Sequence, residues 1–557
     1  MDVKKAIFIL LLCSLWGFLS CSPMGEPEPL SDTQSTTGGG QTNPLPTTPT
    51  QPTTPTTPTT PTNPTTPTTP TTPTTPTPPA FSLVIRTFSS PLTLQPSGVG
   101  SNFGKSDFAM GDLDGDGKSD LAINDPDYRL GYTSSGTALP PNGSQKGKLY
   151  IYFGKYLSGN NPIPNITYVK HGEGTANGNM TLVIGKYSSQ DPLYTGTCSQ
   201  CEDLFIGNSE SYYWMEATEG IKGAVRGYKG ETLAGLVQNG TQTVDAIKCF
   251  EPYNFPGGFA YKYCTWSEDF SIYPLSAKLF ESECYNTYRP LSFGIGLELL
   301  DTDGDSKNNL LVSDLKSPQG KIYLFNQSKF NLTQRAITHC KASSIYGFAS
   351  NDTSLTGPLM ALGKITTGVQ KTVAIPYRAQ GRLNIYKGNA TVSGLTLLMY
   401  ITGNPGSFPS AVTSAGDLNK DGYDDFITSD MTGDGVVNIF YGASTMSAST
   451  AMSSSIRING LSNSQFGKDL AVADLNNDTH LDILISAPGL KKIFIFYGKP
   501  NRWDKPTQMV TLAASNADQT IELAQDGFGS ILKVGDVNGD GKIDLIIGAS
   551  GKAYVYP

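Results

Sequence analysis

Five short acidic stretches of the chain repeat one spacing of oxygen-bearing side chains, and each runs directly into an apolar segment. Oxygens that alternate along a tight loop can converge on one point, and calcium takes about 6–8 oxygen ligands. The spacing therefore predicts about five calcium sites, each completed by a backbone carbonyl at position 7 of the loop. The predicted ligands, at positions 1, 3, 5 and 9, are Asp112, Asp114, Asp116 and Asp120; Asp301, Asp303, Asp305 and Asn309; Asp417, Asn419, Asp421 and Asp425; Asp474, Asn476, Asp478 and Asp482; and Asp536, Asn538, Asp540 and Asp544.

These loops are not EF-hands, because an EF-hand needs a glutamate at position 12 and flanking helices. Position 12 is occupied here by Ile123, Val312, Thr428, Ile485 and Ile547. Acidic turns without an ion are the simplest alternative, and five copies in register argue against it. Two loops are expected to bind more weakly, since Ser306 and Thr479 replace the glycine at position 6. Asn309 also lowers the charge of its loop. A purely structural role for calcium fits the pattern.

The segments around each loop predict β-strands. Upstream stands Phe-Gly or a variant of it, and downstream comes a small-residue turn followed by a second alternating segment bounded by glycine. Strict alternation with glycine at the ends is typical of strands rather than helices. The upstream pairs begin at Phe103, Phe293, Phe408, Phe466 and Phe528, and the alternating segments are 147–154, 320–326, 435–442, 491–498 and 551–556.

Taken in order, the Phe-Gly pair, the acidic loop and the closing small residues resemble the FG-GAP repeat of integrin α-subunit propellers and their bacterial relatives. The resemblance covers most of 81–557. It implies an all-β fold, a seven-bladed β-propeller with calcium in the hairpin between the first two strands of several blades. It also implies a binding or adhesion module.

Two blades without an acidic loop complete the predicted seven. One lies at 361–377, followed by 381–388, and keeps the eight-residue step from Lys364 to Thr372 without ligands. The other lies at 203–207, followed by 223–230, where a Cys198–Cys201 turn replaces the metal loop. The last blade lacks a fourth strand, which either 81–88 or the "PLTLQ" segment is expected to supply, closing the ring and removing open sheet edges.

The first 80 residues contain a predicted export signal and a segment that is not expected to fold. Residues 1–21 read as a signal peptide, and "FLSC" resembles a lipobox, with Cys21 as the lipidated residue; an ordinary signal peptide with an incidental cysteine is the alternative. Residues 22–80 are a Pro/Thr-rich stalk with no apolar surface to bury. In polyproline II such a stalk spans on the order of 100 Å. The stalk is expected to hold the globular part clear of a surface, and the alternative is an unstructured linker without that role. We expect a lipoprotein anchored at the bacterial outer membrane or cell surface.

Net charge and cysteine content indicate which partners and cross-links to expect. The formal charge of −8 comes without a basic stripe, so nucleic acid is not an expected partner. Six cysteines remain beyond Cys13 and Cys21, and an even number in an exported chain predicts disulfides. The predicted pairs are 198–201, 249–264 and 284–340, among about 15 possible connectivities.

The predicted function is binding of a protein or carbohydrate ligand by a monomeric propeller that touches the membrane only through its lipid. An aromatic, cysteine-containing insertion at about 231–292 is either a ligand platform or a small core of its own. Three scattered histidines, His171, His339 and His480, offer no catalytic constellation, so no enzyme is predicted. The alternative is a calcium-dependent polysaccharide lyase or glycan hydrolase on the same scaffold.

Overall fold

A computed structural model describes the part of the chain that carries the repeats. The described residues are 82–96, 102–126, 147–158, 162–169, 180–187, 190, 197–212, 222–237, 244–245, 251–255, 258–262, 270–273, 293–314, 321–326, 336–338, 344–347, 359–368, 371–389, 394–446 and 453–557. The predicted signal peptide and stalk, Cys21, and the predicted pairs 249–264 and 284–340 lie outside them.

Strands of the described residues form seven antiparallel sheets of four, the blades of a propeller. Blade 1 contains Phe108–Gly111, Asp120–Asp125, Lys148–Tyr152 and Ile166–Val169; blade 2 Thr181–Gly185, Asp203–Tyr212, Lys222–Tyr228 and Phe270–Tyr273; blade 3 Phe293–Leu300, Asn309–Asp314, Lys321–Phe325 and Ser344–Gly347; blade 4 Met360–Gly363, Thr372–Tyr377, Arg382–Asn389 and Gly394–Thr402; blade 5 Val412–Gly416, Asp425–Asp430, Val436–Phe440 and Ile456–Asn459; blade 6 Leu470–Ala473, Asp482–Ala487, Lys492–Phe496 and Gln519–Glu522; blade 7 Leu532–Gly535, Asp544–Ala549, Lys552–Tyr556 and Leu92–Leu94.

The blades close into a ring. The first strands of successive blades contact one another in chain order, and that of blade 7 contacts that of blade 1. The strand that closes the ring precedes blade 1 in the sequence. Leu92–Leu94 pairs antiparallel with Lys552–Tyr556 and forms the fourth strand of blade 7. Of the two segments predicted for this place, "PLTLQ" is therefore the strand, and 82–88 is not. The all-β, seven-bladed propeller expected from the sequence is confirmed.

Apolar side chains fill the seams between blades. The described core divides into seven clusters, one for each pair of neighbouring blades, including the pair formed by blades 7 and 1. The second strand is buried along its whole length in six blades, since a neighbouring sheet covers each of its faces. This explains why the acidic loops run straight into uninterrupted apolar residues.

The Phe-Gly pairs belong to this core. All five phenylalanines are buried, and four pack edge-on against an aromatic residue of the third strand of the same blade, as Phe103 does on Tyr150. The glycine after Phe103 has φ +82, and a Cβ there would lie 2.0 Å from the carbonyl oxygen of Lys552 in blade 7. Glycine is needed at this position for both reasons.

Three blades carry a fifth strand borrowed from the next blade. Val244–Asp245, Ala336–Thr338 and Val510–Ala513 add in parallel to the fourth strands of blades 1, 2 and 5. The predicted insertion at about 231–292 supplies Val244–Asp245 and the fourth strand of blade 2, Phe270–Tyr273. It also contributes an α-helix, Gly230–Leu236, and a hairpin of Glu251–Phe255 with Gly258–Lys262. Most of its other residues lie outside the described residues. Within the described residues, no helix has the length and apolarity needed to cross a bilayer.

Candidate metal loops

All five predicted loops share one backbone conformation. Position 4 and position 6 have positive φ in every loop, between 56° and 91°. Glycine occupies most of these ten positions, but Lys420, Asn477, Ser306 and Thr479 adopt the same conformation. Thr479 is β-branched, and its φ of 69° costs roughly 1–3 kcal/mol of backbone strain. The loop therefore keeps the same shape even where the residue type disfavours it.

The carboxylate at position 1 organises each loop. In blade 1, Asp112 Oδ1 accepts hydrogen bonds from the N–H groups of Gly115 and Asp116 at 2.7 and 3.0 Å, and Oδ2 accepts from Gly117 at 2.9 Å. In the other four loops the position 1 carboxylate also accepts from the N–H at position 6, at 2.7–3.0 Å. The position 5 carboxylate accepts from position 7 in all five. The chain thus holds the predicted ligands in place by itself.

Position 9 fixes the loop to the rest of its blade. Both oxygens of Asp120, which is fully buried, accept backbone hydrogen bonds, from Leu113 at 2.7 Å and from Gly154 at 2.8 Å. Asp425 and Asp482 repeat this arrangement with the glycine that follows the third strand of their blades. In blade 2, Asp203 accepts from Gly230 at 3.2 Å although no metal loop precedes it.

Blade 7 replaces that glycine with an arginine from the other end of the chain. Asp544 Oδ2 accepts from Val537 at 2.9 Å, while Oδ1 lies 4.0 Å from Arg86 Nη2. The Arg86 guanidinium also donates to the carbonyl oxygens of Leu475 and Ile543. The segment that precedes the closing strand therefore crosses the loops of blades 6 and 7.

The ligand oxygens are close enough for one ion. In blades 1 and 3, one oxygen from each of positions 1, 3 and 5 lies within 4.8 Å of the others. Burial, followed by the charges at positions 3 and 1, raises the pKa of Asp116 and of Asp305. Crowded carboxylates of this kind repel one another, and a hard divalent cation relieves the repulsion. An all-oxygen donor set fits calcium.

The loops differ in what surrounds them. In blade 1 the Lys155 ammonium pairs with the buried Asp114 carboxylate. In blade 3, Asn309 donates to Thr302 Oγ1 at 2.7 Å and Asn326 donates to Asp303. In blade 6, His480 Nδ1 lies 3.3 Å from Asp478 Oδ1. Blades 5, 6 and 7 have asparagine at position 3, so their triads hold two carboxylates and an amide.

The two blades predicted to lack metal loops have other turns at this place. In blade 2 a disulfide joins Cys198 and Cys201, as predicted. In blade 4, Thr372 stands at position 9 and donates through Oγ1 to the carbonyl oxygen of Gly363 at 2.9 Å. Neither turn presents the alternating oxygens of the five acidic loops.

Three further acidic residues, which the repeat pattern does not single out, join blades near the ring axis. Each lies at the first strand of its blade and accepts the N–H of a residue in the first strand of the next: Asp107 from Leu182 at 2.8 Å, Glu298 from Ala361 at 3.1 Å, and Asp469 from Leu532 at 2.8 Å. Burial raises the pKa of Asp107 to about 6 and that of Glu298 to about 7. The signal available in the sequence was an acidic residue set in an apolar strand.

The fold and loops define a seven-bladed propeller with acidic hairpin loops, and parts of the chain are similar to known proteins. A model of the FG-GAP repeat matches residues 528–556, which span the Phe-Gly pair and acidic loop of blade 7. Integrin alpha-6 of Gallus gallus is 33% identical over 107 residues, covering 17% of this chain and 9% of the integrin. Phosphatidylinositol-glycan-specific phospholipase D of Dictyostelium discoideum is 30% identical over 164 residues, covering 24% of this chain and 17% of that protein.

The chain thus spans less than a fifth of the length of either curated relative. A chain of a solved complex of BBS1N with ARL6DN aligns with 84% of this chain over 97% of its own length, at 10% identity and a TM-score of 0.39. The chain contains an FG-GAP repeat, and its similarity to an integrin α-subunit is consistent with a binding module.

Proposed function

We propose that this protein is a calcium-stabilised propeller, displayed outside the cell on a lipid anchor at Cys21, that binds a protein or glycan ligand. The observation that carries the calcium part is the common shape of the five loops, with left-handed backbone at positions 4 and 6 whatever residue stands there. The FG-GAP match in blade 7 and the similarity to an integrin α-subunit support a binding role outside the cell.

Calcium would act by holding hairpins rather than by chemistry. Each ion would be held by the side chains at positions 1, 3, 5 and 9 of its loop, and it would neutralise carboxylates that otherwise repel. At ~1 mM calcium and a Kd of ~0.1 mM, one site stabilises the fold by about 1.4 kcal/mol, so five contribute roughly 7 kcal/mol. A contribution of that size is comparable to the stability of a whole domain.

Binding would be tested with the full mature chain, with Cys21 replaced by serine for solubility, on an array of glycans and matrix proteins. We expect retention on one class of ligand in ~1 mM calcium and its loss in chelator, with no product released. Arg457→Met, on an exposed side chain of blade 5, should bind like the parent. Retention that ignores calcium, or no retention on any ligand, would reject the proposal.

The enzyme alternative has a distinct readout in the same experiment. The phospholipase D relative shares only a small part of its length with this chain, so its activity is not transferred here. Release of cleaved glycan from the array would favour a lyase or hydrolase over a binding module.

A further inference from the structure

The disulfide turn of blade 2 packs directly on the metal loop of blade 1. Cys198 Sγ lies 3.8 Å from the carbonyl oxygen of Asp114. A Cβ on Gly115 would come within 2.7 Å of Cys198 Sγ and 3.4 Å of Cys201 Sγ. The loop therefore rests on the disulfide with no space for a side chain between them.

The residue after the turn holds the first ligand of the same loop. The Glu202 N–H donates to the carbonyl oxygen of Asp112 at 2.8 Å, and the Asp112 N–H donates to Glu202 Oε2 at 3.0 Å. These two bonds use both the N–H and the carbonyl oxygen of Asp112, so blade 2 holds the backbone on both sides of its Cα atom.

The bond to the position 1 carbonyl oxygen recurs around the ring. The N–H at position 8 also donates to the position 1 carbonyl of the preceding blade where Ser119 meets Asp536, at 2.8 Å, and where Lys371 meets Asp301, at 3.4 Å. The carboxylate bond recurs at blade 4, which has no acidic loop, where the Lys364 N–H donates to Asp424 Oδ2 at 2.6 Å. Among the five acidic loops that the structure describes, the carboxylate bond and the packing on a disulfide are recorded only at blade 1. The loop of blade 7 is therefore a matched internal control.

We propose that the Cys198–Cys201 turn and Glu202 position the blade 1 loop for calcium, so that the affinity of this single site depends on the disulfide. The inference rests on the calcium binding proposed above. A dithiol reductant would break the S–S bond to give two cysteine thiols, with the reductant oxidised to its own disulfide. The turn would then no longer be closed, and ordering Asp112, Asp114 and Asp116 around an ion would cost additional conformational entropy.

The site can be read separately from the others by hydrogen exchange with mass spectrometry on the full mature chain, across a calcium titration. Peptides covering 111–123 and 535–547 report blades 1 and 7 in the same sample. For each peptide, the midpoint is the calcium concentration that gives half of the maximal protection from exchange. In Cys198→Ser/Cys201→Ser, and in the parent treated with dithiothreitol, we expect the midpoint of 111–123 to rise about ten-fold while that of 535–547 stays unchanged.

Glu202→Ala tests the same idea with the disulfide intact, and it should raise the midpoint of 111–123 about three-fold. Unchanged midpoints at 111–123 in these variants would overturn the inference, as would equal shifts at both peptides, which would show general destabilisation. If neither peptide of the parent gains protection from calcium, the proposed calcium binding fails instead.

Discussion

Replacing Arg86 with methionine should loosen the closure of the ring. The Arg86 side chain is 9% exposed and lies beside Asp544, which is fully buried. Its guanidinium donates to Leu475 and Ile543 and stands 4.9 Å from the ring centre of Phe88. Methionine keeps the apolar stem and removes every polar contact of the side chain, while the backbone hydrogen bonds of residue 86 with Tyr497 and Gln519 remain.

The size of the effect follows from those contacts. A hydrogen bond from a charged group contributes about 1.5–3 kcal/mol, and removing one partner of a buried ion pair costs about 3–5 kcal/mol. Allowing for the methionine packing that remains, we expect a loss of about 3 kcal/mol. The roughly 480 residues of the ring give an unfolding entropy near 1 kcal/mol/K, so the Tm should fall by about 3 °C.

Differential scanning calorimetry in ~1 mM calcium measures this shift, with Arg457→Met as the control. Arg457 is exposed on blade 5 and its Nε donates only to Asn459 Oδ1 among the contacts recorded for it. We expect the control to melt with the parent. If Arg86→Met also melts within 1 °C of the parent, the contacts of segment 82–88 with blades 6 and 7 do not stabilise the ring and the reasoning is wrong.

Three other changes test separate parts of the structure. Glu298→Gln should flatten the pH dependence of thermal stability. Burial raises the pKa of Glu298 to about 7, so the stability linked to its proton is complete below about pH 4.5 and is lost as the pH rises through about 7. Equal slopes of Tm against pH in variant and parent would contradict this. Lys155→Met should tighten calcium binding at the blade 1 loop about five-fold, because it removes a competing cation; hydrogen exchange of that loop would show it, and weaker binding would refute it. Gly104→Ala should lower the Tm by several degrees more than Gly406→Ala: φ is +82 and +84, but only at Gly104 would a Cβ meet Lys552; equal shifts would mean that the contact costs nothing.

Repetition made much of the fold predictable. Five loops in register gave the strands on either side of them, and the eight-residue step from Lys364 to Thr372 was enough to locate blade 4 without ligands. The turn at Cys198–Cys201 was also found, because a short loop between strands replaces the metal loop there. Periodic constraints of this kind act within one blade and are visible along the chain.

Contacts between blades were not predictable in the same way. Arg86 reaches carbonyl oxygens 389 and 457 residues away. The Glu298 carboxylate accepts a hydrogen bond from the Ala361 N–H of the next blade. Such pairs join residues far apart in the sequence, and each depends on how neighbouring sheets pack around the ring. The ligand identity of the loops remains a prediction from donor chemistry and spacing.

The most direct measurement is the number of calcium ions that the chain retains. The full mature chain would be equilibrated with ~1 mM calcium and its bound metal counted by native mass spectrometry. The account predicts about five calcium ions, and one fewer in a variant with Asp536→Asn and Asp540→Asn, which removes two charges from the loop of blade 7. A chain that retains no calcium, or a variant that loses none, would contradict the claim that these loops hold metal.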